Sequence, residues 1–127
     1  MTGGIERFAS GGPWEQRFGY SRAVRAGDLL FVAGTTAVGE DGVVRGIGDA
    51  GAQTLFILDR IEAALARAGA SLEQVVQTRM FITDVSRAEE VGRAHGERFA
   101  AHPPVSAMVQ GAALLDPLML VEIEAGA

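Results

Sequence analysis

Glu122 and Arg79 are the two side chains whose types and placement could do acid–base or anion-binding work together. Alternation in VVQTRMFIT (75–83) puts Gln77, Arg79, Phe81 and Thr83 on one face of a strand, opposite Val76, Thr78, Met80 and Ile82. Alternation in LMLVEIEA (118–125) sets Glu122 and Glu124 opposite Val121, Ile123 and Ala125. If the apolar sets pack on helices, the Glu122 carboxylate and the Arg79 guanidinium lie on the same side of one sheet. Such a pair is either a structural salt bridge or the polar part of a site. In a site, a carboxylate of raised pKa moves protons and an arginine grips an anion. Tyr20, alternating with Phe18 and Arg22, and Trp14 before it either line a pocket or pack in a core or interface.

Absences narrow the chemistry further. All eleven basic residues are arginine, and the chain has no lysine, cysteine or asparagine. No lysine excludes Schiff-base catalysis and a Walker-type phosphate lysine. No cysteine excludes disulfides, iron–sulfur clusters, thiolate zinc sites and thiol nucleophiles. His95 and His102 do not by themselves make a metal site, and His95 falls on an apolar stripe with Val91 and Phe99, where a packed histidine is expected. Ser, His and Asp are present without a nucleophile elbow. Gly46-Ile47-Gly48-Asp49-Ala50-Gly51 fits GxGxxG but lacks the preceding strand and the distal acidic residue of a dinucleotide site, so it reads as a turn into a helix. A net charge of −5 opposes nucleic-acid binding. No apolar run approaches the roughly 20 residues of a membrane helix, and the N-terminus carries no signal-peptide pattern. A cytoplasmic protein with no membrane partner is expected.

The elements that would position these residues follow from pattern. At 127 residues the chain is expected to form one domain over 1–127. Residues 1–16 read as a Gly-rich arm with a short strand near Ile5–Phe8. Residues 18–25 and 29–33 read as a hairpin around Ala26-Gly27-Asp28, and Asp41-Gly42 marks a shorter one. A helix is predicted from an Asp49 cap to Ala68, with Leu58, Ile61, Leu65 and Ala68 as its stripe and Gly69 as its stop. A second is predicted from a Ser86/Glu89 capping box to about Ala100, before His102-Pro103-Pro104. Strands at 75–83, 105–114 and 118–125 complete the order β-β-β-α-β-α-β-β. Two helices cover only one face of such a sheet. The 105–114 strand is nonetheless apolar on both faces, with Val105, Ala107 and Val109 on one and Met108 and Ala112 on the other. A second copy of the chain is the simplest cover for the bare face.

Three segments carry a resemblance: GYSRAV followed by AGDLLFVAGTTA, the helix-to-strand run AQT…LDRIEAALARAGASLEQVVQTRMFITD, and the ending PPVSAMVQGAALLDPLMLVEIEA. Together, over about residues 15–127, they resemble the Rid (YjgF-type) family. The resemblance implies an α+β fold of the chorismate-mutase type, a mixed six-stranded sheet with two helices on one face, assembled as a homotrimer whose sheets form a barrel. It implies pockets between subunits and hydrolysis of small reactive enamines and imines, such as 2-aminoacrylate, to a keto acid and ammonia, with no metal or organic cofactor. Carried onto this chain, it makes Glu122 the carboxylate that activates water, Tyr20 the pocket tyrosine, and Gly34 the backbone amide donor, with Thr35 beside it.

Three positions depart from the pattern. The family's carboxylate-gripping arginine falls on Val105, and the small thiol or polar residue two positions later is Ala107. The pocket asparagine aligns near Gly92. Valine offers no donor, and burying a substrate carboxylate without a cation costs several kcal/mol. Three outcomes stay open: a substrate without the carboxylate, another arginine in the cleft (Arg79 first, Arg22 second), or no deaminase activity and a trimer that binds a small ligand or a protein.

Overall fold

The computed structural model describes residues 4–127. It is an α+β fold of six strands in the order β1-β2-β3-β6-β4-β5. The strands are β1 (Ile5–Phe8), β2 (Ala23–Ala26), β3 (Leu29–Thr36), β4 (Gln77–Ile82), β5 (Val105–Gln110) and β6 (Val121–Gly126). Neighbours are antiparallel except β4 and β5, which run parallel with α3 between them. The helices are α1 (Pro13–Phe18), α2 (Ala50–Arg67) and α3 (Ala88–Phe99).

Apolar spacing explains the layering. Ile57, Leu58, Ile61, Ala64 and Leu65 of α2 are buried, as are Val91 and Phe99 of α3. They meet Leu30 and Val32 of β3, Met80 and Ile82 of β4, and Val121, Ile123 and Ala125 of β6 in one apolar cluster. Asp49 caps α2 by accepting from the Ala52 amide. The GxGxxG stretch is a turn into this helix, with Gly46 and Gly48 at positive φ. Among the described residues, no helix lies over the opposite sheet face. There Leu29, Phe31, Val105 and Val109 are each at least half exposed. Among the described residues, no helix is long and apolar enough to cross a membrane.

Several local expectations are corrected. The region from Pro13 to Phe18 is a short helix and not arm and strand, so β2 begins only at Ala23. Pro13 at its first position and Gly19 in the left-handed region after its end bracket it, the asymmetry typical of helix termini. The capping box predicted at Ser86 and Glu89 is absent: Asp84 accepts from the Ser86 amide and hydroxyl, a 3-10 turn follows, and α3 starts at Ala88. The capping box that forms instead joins Ser71 and Gln74. Val76 precedes β4 and is exposed, so it does not join Thr78, Met80 and Ile82 under the helices. The last two strands are shorter than predicted, β5 ending at Gln110 and β6 starting at Val121.

Candidate functional site

Glu122 lies on the helix-free face of β6, its Cα facing Thr36 of β3 on one side and Phe81 of β4 on the other. Between Val32 and Thr35 the β3–β6 register slips, so that Ala33 and Gly34 together oppose Glu124. That bulge brings the Gly34 backbone against the Glu122 carboxyl: a Cβ on Gly34 would stand 3.0 Å from both Cδ and Oε2. Bulges commonly re-aim side chains beside active sites. Glu122 is half-buried, and burial raises its pKa; the like charge of Glu124 raises it further, while Arg22 pulls it down. A carboxyl shifted in this direction keeps its proton to higher pH than a free one, which favours a part in proton transfer.

Arg79 does share a face with Glu122, as alternation predicts, but its guanidinium turns to Glu124, with Nη1 3.3 Å from Oε1. It is flanked in register by Ala107 on β5 and Glu124 on β6. Both partners are largely exposed, so the pair adds little stability. Phe31, Gln77, Arg79, Glu124 and Gly126 line a groove of about 290 Å³ on this face, which does not include Glu122. Val105 and Ala107 are exposed on β5, the edge strand. Two strand spacings separate β5 from β6, about 9–10 Å. Within one chain the structure therefore does not bring Val105 and Ala107 to Glu122.

Tyr20 follows α1 and is partly exposed, its ring 5.9 Å from the Arg22 guanidinium carbon. Thr35 is buried and accepts from Arg22 Nη1 at 2.9 Å. Arg22 is itself buried, also donates to the Gly34 carbonyl at 3.0 Å, and lies 3.4 Å from Glu15. It is thus committed to protein groups and is not a free cation at the cleft. Glu15 was not foreseen. Burial pushes its pKa up, but hydrogen bonds from the Ser10 hydroxyl and amide, with the Arg22 charge, outweigh that and hold it low. Arg60 of α2 donates to the Thr36 carbonyl at 2.8 Å, and burial lowers its pKa, as does the charge of Arg22. The Pro13…Gly19 bracket was the one sequence signal that could have placed Glu15 on a helix.

His95 packs as expected, its ring 4.6 Å from that of Phe99. Its Nε2 is 2.9 Å from the Thr78 hydroxyl, which is 2.8 Å from that of Ser106. Burial lowers its pKa, which keeps the ring neutral at physiological pH. Gly92 lies by a shallow surface hollow with Ala88, Glu89 and Arg93, away from Glu122.

The endoribonuclease L-PSP family model matches residues 14–127. An uncharacterized protein of Streptomyces coelicolor is 38% identical over 94% of this chain and 89% of its own length. The 3-aminoacrylate deaminase RutC of Acinetobacter baylyi is 32% identical over 82% of each chain. The crystal structure of a Mycobacterium tuberculosis member of the YjgF/YER057c/UK114 family superposes with a TM-score of 0.88 at 48% identity, covering 98% of both chains.

Proposed function

The chain belongs to the Rid (YjgF-type) family, whose endoribonuclease L-PSP model spans nearly all of it, and on that premise we propose that it is a hydrolase that deaminates a small enamine or imine. The observation that carries this reading is the Glu122 carboxyl, half-buried, raised in pKa and seated on the Gly34 backbone. The Acinetobacter baylyi relative, a 3-aminoacrylate deaminase, supports the same chemistry.

In this reading the protonated Glu122 delivers its proton to the methylene carbon of the enamine, leaving an iminium. The carboxylate then takes a proton from a water molecule as the water oxygen adds to the C=N carbon. The proton passes to the nitrogen, the C–N bond breaks with release of ammonia, and the hydroxyl proton returns to Glu122 as the carbonyl forms. The Gly34 amide polarises developing charge, Thr35 fixes the backbone beside it, and Tyr20 closes the pocket. These steps use protein groups and water alone.

The site is a cleft between subunits of a homotrimer in the cytoplasm, each chain of 1–127 acting as one domain. The separation of Val105 and Ala107 from Glu122 within a chain supports this, because β5 of a second copy can supply what the first lacks. The exposed Leu29, Phe31, Val105 and Val109 give the bare face an apolar surface to bury. With Val105 where the family has its arginine, the substrate presents no carboxylate there, and Arg79 is the nearest alternative cation on that face. RNA cleavage fits poorly with a net charge of −5.

The test compares ammonia release from freshly generated 2-aminoacrylate and from its methyl ester. Faster turnover of the ester supports a neutral-substrate pocket. Preference for the free acid would mean that Arg79 or another guanidinium takes the carboxylate, and Arg79→Gln then identifies which. Neither substrate turning over faster than in buffer contradicts the reading.

A further inference from the structure

Glu15 and Arg22 take no direct part in the steps above, yet they are buried, at 6% and 8% exposure. Burying an ion pair is costly in desolvation, and apolar residues of similar volume commonly pack there at no loss of stability. What distinguishes this pair is where its hydrogen bonds end. Arg22 Nη1 donates to the Gly34 carbonyl and to the Thr35 hydroxyl, and that hydroxyl donates to the Ala33 carbonyl at 2.8 Å. Every residue of the β3 bulge is therefore held by Arg22 directly or through one hydroxyl. Glu15 holds Arg22 in turn and is gripped by the Ser10 amide at 2.9 Å and by the Ser10 hydroxyl. On the other side of Gly34 rests the Glu122 carboxyl.

We infer that Glu15 and Arg22 are positioning residues for Glu122: α1 carries Glu15 to Arg22, and Arg22 fixes the Ala33–Gly34–Thr35 bulge that seats the Glu122 carboxyl. The inference rests on the proposed role of Glu122. The charged groups acting on that carboxyl are Glu124 on its own strand and Arg22. Arg79 of β4 is turned to Glu124, and Arg60 of α2 to the Thr36 carbonyl. The other neighbours in register, Thr36 and Phe81, carry no charge. Arg22 is thus the one cation among these groups that both anchors the bulge and favours ionised Glu122.

The test is a carbon-13 titration of the Glu122 carboxyl in the intact protein, beside the pH profile of kcat and KM on the faster of the two substrates above. Arg22→Gln is expected to raise the Glu122 midpoint and to lower kcat about tenfold, with KM little changed. Arg22→Lys, which keeps the charge, returns the midpoint toward wild type. Glu15→Gln leaves Arg22 without its counter-charge and moves the midpoint down, an opposite shift that a loss of folding does not produce. It also serves where Arg22→Gln fails to fold. An unmoved midpoint in the folded variants overturns the inference. Absence of activity in the wild type sinks the deaminase reading alone, since the titration decides positioning without turnover.

Discussion

Gly34→Ala separates the geometry of the site from the stability of the fold. A methyl group there would lie 3.0 Å from Glu122 Cδ and Oε2, against the 3.4–4 Å of ordinary contact, so one of the two must yield by several tenths of an ångström. The carboxyl is the free end of a flexible side chain and yields more readily than two hydrogen-bonded strands. Gly34 does not have a positive φ, so alanine meets no backbone strain. Alanine also restricts the unfolded chain, a gain of about 0.4–1 kcal/mol that offsets much of the crowding. The net change in stability should stay within about 1 kcal/mol, the low end of overpacking costs. Displacing a catalytic group by up to 1 Å, by contrast, costs up to about 100-fold in rate. Thermal denaturation and ammonia-release kinetics on the same preparation read both quantities. A variant with wild-type kcat/KM and wild-type melting would refute the contact between Gly34 and Glu122 as the seat of catalysis.

The pKa of Glu122 makes a stability prediction. Burial, then Glu124, raises its folded pKa above 4.5, so its contribution is fully present below that pH and is lost as pH rises through the folded value. Glu122→Gln should therefore melt higher than wild type at pH 8, with the gap closing toward pH 4.5; a gap that widens on acidification contradicts the burial. Val105→Arg restores a donor on the exposed edge strand and should shift preference toward the free acid of 2-aminoacrylate, by the roughly 10–100-fold that a charge-assisted hydrogen bond supplies; an unchanged acid-to-ester ratio would show that position 105 does not face the substrate. Thr78→Val removes the hydroxyl between His95 and Ser106 and should cost about 1–3 kcal/mol in chemical denaturation, whereas a neutral result would mean that water replaces it.

What was legible in the sequence was whatever depends on period. Strand alternation placed Glu122 and Arg79 on one face correctly, and Leu58, Ile61, Leu65 and Ala68 are buried as their spacing predicts, though Ile57 and Ala64 join them, because burial on one side imposes those repeats. The bare second face was also legible, from Val105, Ala107 and Val109 opposite Met108. Local competition was harder to read. Ser86 looked like a helix cap, but Asp84 two residues earlier has the stronger acceptor and claims the Ser86 amide first. The short helix at Pro13 is too brief for a periodic signal. With it went Glu15 and the buried pair it forms with Arg22, which is a contact between segments that no spacing rule relates. Arg79 was read as the spare cation, yet cross-strand register hands it to Glu124. The β3 bulge that seats Glu122 leaves no periodic trace, and Gly34 stood out among the seventeen glycines only through the family resemblance.

In the proposed reaction the Glu122 carboxyl moves the protons of a C=N hydrolysis. Its most direct test is ammonia release from whichever of 2-aminoacrylate and its methyl ester turns over faster, measured side by side for wild type and Glu122→Gln at equal folded concentration. Catalysis above buffer is expected from the wild type, with a loss of about 100-fold or more in the variant, the range of general acid–base contributions. Equal rates for the two proteins would contradict it.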